Sequence, residues 1–220
     1  MRRFAALQAA IVDLDGTLVD TLGDFTVALN AALAELRCAS LRPAQVEPMV
    51  GKGSEHLIRS ALAAVGAPAS AYAVAWEAYQ RHYAVVNGRH SAVYPGVHEG
   101  LVALRDAGLA LACLTNKPTQ FARDLLQSKG LAPFFRVVFG GDAFERKKPD
   151  PLPLLRTCHA LGCAPAATLV VGDSSNDAAA ARAAGCPVLL VTYGYNHGQP
   201  VREVDADGFV DSLEQLPGLL

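Results

Sequence analysis

The sequence predicts an α/β fold: a doubly wound, Rossmann-like parallel sheet with a small helical domain inserted into it. Three observations carry this. Apolar, β-rich segments near 9–13, 109–115, 136–140, 168–172 and 187–193 alternate with helical patterns, as in a parallel sheet covered on both faces. Hydrophobic residues make up 51% of the 220 and charged residues 18%, which supports a sizeable core and excludes a disordered chain. Between the first two strand segments lie nearly ninety residues with helical spacing and no strand-like alternation, too many for a simple crossover.

Taken in order, Arg2-Arg3 and the apolar residues after it imitate a signal peptide, but no small-residue cleavage site follows. The run Ala9-Ala10-Ile11-Val12 enters Asp13-Leu14-Asp15-Gly16-Thr17 directly and reads as a first strand. Helical spacing over 22–36, 55–65 and 70–86 fills the insertion. The expected division is a cap domain at 20–92 and a core domain at 1–19 and 93–220, with hinges near 19–24 and 88–95. Tyr72, Trp76, Tyr79 and Tyr83 recur at helical intervals of three and four, which reads as core packing of the inserted helices. Helices over 96–107 and 119–129 stop at Gly108 and Gly130. Asp150-Pro151 reads as an N-cap followed by proline at the first helical position, opening a helix to about Leu161. The alanine-rich stretch 178–184 is a strong helix former closed by Gly185.

The chemistry sits at the strand ends. Side chains alternate along a strand, so Asp13 and Asp15 project to one side while Leu14 turns inward. Two carboxylates sharing a crevice repel, and a proton, a cation or a bound metal must relieve the repulsion. Gly16 permits a sharp turn, and Thr17 offers a donor to an anion. Alone, this string also fits an ordinary turn or a Ca²⁺ loop. Its company narrows the reading. A second strand ends in Leu114-Thr115-Asn116, Lys147-Lys148-Pro149 precedes a helix start, and Val171-Gly172-Asp173 runs into Ser174-Ser175-Asn176-Asp177.

These four strings, in this order, resemble the motifs of the haloacid dehalogenase superfamily: D-x-D-G-T, a strand ending in Ser or Thr, a Lys, and G-D-x-x-x-D. The resemblance implies a doubly wound core with a helical cap between the first and second motifs. It also implies roles: Asp13 as nucleophile forming an aspartyl-phosphate, and Asp15 as general acid/base. Mg²⁺ would be bound through Asp13, the Asp15 carbonyl and Asp173, with Asp177 orienting a metal-bound water or serving only as a helix N-terminal acid. Thr115, with the Asn116 amide, would donate to the phosphoryl group, and Lys148 would neutralise it; Lys147 reads as a solvated neighbour. Tyr94-Pro95-Gly96-Val97, Thr115-Asn116-Lys117-Pro118, Gly140-Gly141-Asp142 and the string from Thr192 to Gly198 look like the phosphoglycolate phosphatase subgroup. For such a substrate, Lys52 in Gly51-Lys52-Gly53 is the expected cap-side cation facing its carboxylate, with Arg59 and His56 as alternatives.

Nineteen basic against 21 acidic residues, without a long basic run, give no sign of nucleic-acid binding. No stretch reaches the length of a membrane helix. Five cysteines without a C-x-x-C pair read as reduced thiols of a cytoplasmic protein and argue against zinc. The expected partner is a small phosphorylated metabolite, the expected assembly a monomer or homodimer. A receiver-like signalling module fits poorly with the long insertion. A carbon–halogen hydrolase would lack Asp15, and a phosphomutase would differ by retaining the phosphate.

Overall fold

The structure, a computed structural model, describes residues 7–219; Arg2-Arg3 at the start of the leader-like stretch lie outside it. The chain opens with β1 (Ala9–Val12), whose four residues are all at most 1% exposed. It continues through β2 (Val19–Asp20) into the helical insert of α1 (Leu22–Glu35), α2 (Pro43–Val46), α3 (Ser54–Ala64) and α4 (Tyr72–Val86). β3 (Ala92–Val93) returns the chain by pairing antiparallel with β2, so the insert leaves and re-enters through one two-stranded ribbon. There follow α5 (Val97–Asp106), β4 (Ala110–Leu114), α6 (Thr119–Ser128), β5 (Val137–Phe139), α7 (Leu152–Leu161), β6 (Thr168–Gly172), α8 (Ser175–Ala184), β7 (Val188–Val191) and β8 (Gly208–Val210).

Six strands form one parallel sheet in the order β5-β4-β1-β6-β7-β8. Strand alternation explains its two buried faces. Ala10 and Val12 of β1 join Leu101, Leu104, Leu125 and Leu126 on one side, whereas Ile11 joins Leu154, Ala178 and Ala181 on the other. Each fully buried Leu or Ile contributes roughly 1.5–3 kcal/mol relative to exposure. The insert has a separate apolar cluster, with Phe25, Leu29, Leu57, Ile58, Tyr79 and Tyr83 among its buried members.

The order reverses at β1: the chain proceeds to β4 and β5 on one side and to β6, β7 and β8 on the other. Ligand crevices of open α/β sheets open at such a switch point, beyond the carboxyl ends of the strands. The insert leaves from just beyond that end of β1 and roofs it. Three features differ from the sequence reading. The β2–β3 ribbon and β8 are too short to show alternation, and α7 begins at Leu152, with Pro151 preceding it and the Asp150 carboxylate accepting from the Leu152 amide at 2.9 Å.

Candidate active site

Asp13, directly after β1, falls on the Ile11 face, while Leu14 returns to the Val12 face and is fully buried. Asp15 lines the same cavity as Asp13, so both carboxylates share one crevice. Gly16 makes the turn at φ +85°, and a Cβ there would collide with the Asp173 carboxylate and the Tyr195 ring.

Asp173, one residue beyond β6, is 3% exposed. Its Oδ1 accepts from the Thr17 hydroxyl at 3.2 Å and its Oδ2 from the Tyr195 amide at 2.6 Å. Asp177, in the first turn of α8, accepts from the Ser174 hydroxyl at 2.7 Å and amide at 3.2 Å, capping the helix. Its other oxygen accepts from Lys148 Nζ at 2.6 Å. One oxygen each from Asp13, Asp173 and Asp177 can be chosen so that all three lie within 4.8 Å of one another.

Lys148 reaches this cluster from the loop before α7. Its Nζ donates to Asp177 and, at 2.9 Å, to the Leu114 carbonyl, and lies 2.9 Å from Asp13 Oδ1. The contact to Asp13 is a close buried ion pair, and Lys148 is the group that meets Asp13 Oδ1. Burial pushes the Asp13 carboxyl up to about 7; Lys148 lowers it, and Asp177 and Asp15 add to the rise. Burial, then the charges of Asp177 and Asp13, hold Asp173 well above the usual carboxylate range. Three desolvated acids against a single ammonium form an all-oxygen donor set that fits a hard divalent cation.

At the end of β4, Thr115 is 3% exposed and its hydroxyl accepts from the Lys117 amide at 3.2 Å. The Asn116 side chain ties three segments together: it donates to the Lys148 carbonyl and the Gly51 carbonyl, both at 2.9 Å, and accepts from the Lys148 amide at 3.1 Å. Asn176 also donates to the Gly51 carbonyl, at 3.2 Å. Gly51 belongs to the insert, so these two asparagines hold the roof against the core.

The structure thus gathers Asp13, Asp15, Thr115, Asn116, Lys148, Asp173 and Asp177 at the strand ends, and leaves Lys147 exposed. Lys52 lies elsewhere: it is exposed and does not line the cavity, whose lining includes both its glycine neighbours. Gly51, at φ +102°, has its carbonyl held inward by Asn116 and Asn176, and the lysine stands outside. Arg59 is also outside, pairing with Glu55 at 3.0 Å and lying over the Tyr72 ring, and His56 does not line the cavity.

The cation facing the cavity is instead Lys117, 4% exposed, with its Nζ 2.7 Å from Asp15 Oδ1 and 4.3 Å from the Phe25 ring centre. Sequence reasoning did not assign it, although it stands two residues after Thr115 in the quoted Thr-Asn-Lys-Pro string. Tyr79 and Tyr83 likewise pack in the insert as expected, yet they also line the cavity with Phe25 and Leu57. Their four-residue spacing on α4 is the signal that could have found them.

Residues 10–191 match the haloacid dehalogenase-like hydrolase family. The chain is 44% identical over 215 residues to a phosphoglycolate phosphatase of Thiobacillus denitrificans, covering 95% of this chain and 93% of that one. It is 46% identical over 213 residues to a plasmid-encoded phosphoglycolate phosphatase of Cupriavidus necator, covering 96% and 92%. A crystal structure from Haemophilus somnus, described as a predicted phosphoglycolate phosphatase, superposes with a TM-score of 0.94 at 30% identity over 98% of both chains. The chain belongs to the haloacid dehalogenase-like hydrolase family. Within it, it is a phosphoric monoester hydrolase acting on a small phosphorylated substrate.

Proposed function

We propose that this enzyme hydrolyses 2-phosphoglycolate to glycolate and inorganic phosphate through an aspartyl-phosphate on Asp13. The observation that carries the reading is the buried Asp13 carboxylate, set beside Lys148 and the Asp173/Asp177 pair at the sheet's switch point under a closed roof. The names of the relatives support the substrate. Phe25, Leu57, Tyr79 and Tyr83 line the cavity from the insert side and bound the room left for the organic part of the ester.

In this scheme an Asp13 oxygen attacks phosphorus in line, and the bond to the ester oxygen breaks. Asp15 gives that oxygen its proton, then takes one from the water that attacks the same phosphorus and frees Asp13. Lys148, Thr115 and the Asn116 amide offset the charge on the phosphoryl oxygens. Asp13, the Asp15 carbonyl and Asp173 would hold Mg²⁺, with Asp177 orienting a water bound to it. When bound, the ion neutralises carboxylates that would otherwise repel a phosphate dianion. The insert, residues 20–92, serves as a lid that excludes water and restricts substrate size.

The test is phosphate release from a panel of monoesters. Phosphoglycolate should lead sugar phosphates by tenfold or more in kcat/KM, and EDTA should stop turnover until Mg²⁺ returns. Acid-quenched enzyme should carry one phosphoryl group on the Asp13 peptide, and Asp13→Asn should lose it together with about 10³-fold or more of the rate. Turnover by Asp13→Asn at the parent rate, or a sugar phosphate as the best substrate, overturns the scheme.

A further inference from the structure

Two buried tyrosine hydroxyls without hydrogen-bond partners belong to side chains that line the acid cavity. Tyr79 and Tyr83 are each 1% exposed, and their rings stack at 5.4 Å between centroids. Burial raises both hydroxyls well above their ordinary pKa, and the Asp15 charge is the next cause for each, so that carboxylate acts on both. A buried hydroxyl left unpaired costs stability, and phenylalanine fills nearly the same space without that cost. Packing of the insert therefore accounts for the rings but not for the oxygens.

Lys117 completes the group from the core side. Its Nζ lies 4.9 Å from the Tyr83 ring centre, and Asp15 is its one hydrogen-bond acceptor among the described residues, so further N–H groups are free. Its charge also offsets Asp15 once that residue has given up its proton.

We propose that the Tyr79 and Tyr83 hydroxyls and the Lys117 ammonium form a subsite for the carboxylate of the substrate, the end remote from phosphorus. This rests on the phosphatase reading above and gives it a source of selectivity. A carboxylate accepts hydrogen bonds at both oxygens, so two hydroxyls and an ammonium match it, and all three side chains line the cavity that Asp13 and Asp15 line. Once there, it shares Lys117 with Asp15. The cation that reads the carboxylate comes from the loop after Thr115 and not from the lid loop.

The discriminating experiment compares 2-phosphoglycolate with ethyl phosphate, in which a methyl replaces the carboxylate. The ratio of their kcat/KM values is measured for the parent, Tyr79→Phe, Tyr83→Phe and the double variant, with the Tm of each free enzyme. The ratio should exceed ten in the parent and fall about tenfold per substitution through KM, with Tm unchanged or raised. A parent that prefers phosphoglycolate beside a double variant with the same ratio sinks the subsite and leaves the hydrolase reading standing. A parent ratio near one overturns the phosphoglycolate reading and the subsite together. A Tm lowered by several degrees in both single variants marks the hydroxyls as partnered in the fold and overturns the subsite.

Discussion

Lys148 carries its charge where only its neighbours make that charge tolerable. Burial alone would push its pKa down, but Asp13 and Asp177, each within 3 Å, pull it up beyond the ordinary lysine value. The pairing also works in reverse, because the lysine is the cation that offsets the clustered acids. Breaking a buried ion pair by removing one partner typically costs about 3–5 kcal/mol, since the charge left behind is uncompensated. Lys148→Met should therefore lower Tm by about 6–20 °C in metal-free buffer, as well as abolishing turnover. Differential scanning calorimetry in EDTA checks it, and an unchanged Tm would mean that the acids are neutral without the lysine. Lys148 was legible because it precedes proline in the third motif string. Lys117 was not, because nothing in its string shows that the backbone turns it back toward Asp15, 102 positions earlier.

At the scale of the element, α6 shows how a helix can be predicted while the group that starts it is not. Position 118 is proline and provides no side-chain cap. Asp142, in the loop after β5, accepts from the Thr119 amide at 2.8 Å and from the Thr119 hydroxyl, and so caps the helix from outside. Burial raises the Asp142 carboxyl, but the two bonds from Thr119 outweigh it and leave its pKa below the ordinary value. The stabilisation is thus present above about pH 4 and lost as the pH falls below that, because protonation removes the acceptor more readily from the unfolded chain than from the folded one. Asp142→Ala should cost about 1 kcal/mol at pH 7, or about 2–4 °C in Tm, with the gap to the parent narrowing steadily as the pH is lowered below about 4. A gap that stays constant as the pH falls would assign the loss to something other than the carboxylate. Four of the five strand segments were readable because burial on both faces makes them continuously apolar, and the fifth, the half-buried edge strand β5, was readable from its Val-Val-Phe run alone. The ribbon β2–β3 and strand β8 were not, because two residues, or three that begin with a glycine, display neither a period nor an apolar run. The helix-ending glycines stood out for the opposite reason: Gly130 and Gly185 adopt φ near +70 to +77°, a local demand that sequence records directly.

For the whole molecule, the question is how the insert responds to what happens at the acids, and Tyr195 joins the two. Its amide donates to Asp173 Oδ2 at 2.6 Å. Its hydroxyl accepts from the Thr21 and Leu22 amides at 3.0 and 3.1 Å and donates to the Asp20 carboxylate, all in the strand and turn that lead into α1. The return segment is tied to the outgoing one by Asp24, which accepts from the Gly88 and His90 amides, and to the core by Lys129, which donates to the Gly88 and Ser91 carbonyls. Tyr195 therefore links, through its amide at one end and its hydroxyl at the other, a carboxylate proposed to hold the cation to the outgoing hinge, while the return hinge has its own tie to the core in Lys129, which does not touch the cluster. Ordering Asp173 by a bound cation should restrain Tyr195, and through its hydroxyl the backbone at 20–22. Hydrogen exchange followed by mass spectrometry would read this directly. In the parent enzyme Mg²⁺ should slow exchange at 19–24 by several-fold. In Tyr195→Phe the amide bond to Asp173 survives, so Mg²⁺ affinity should change by less than about threefold, yet its protection of 19–24 should vanish while that at 88–91 stays as in the parent. Protection of 19–24 by Mg²⁺ that persists in Tyr195→Phe would show that the hinge senses the cation by another route. Loss of protection at both hinges would show that the substitution loosens the insert as a whole.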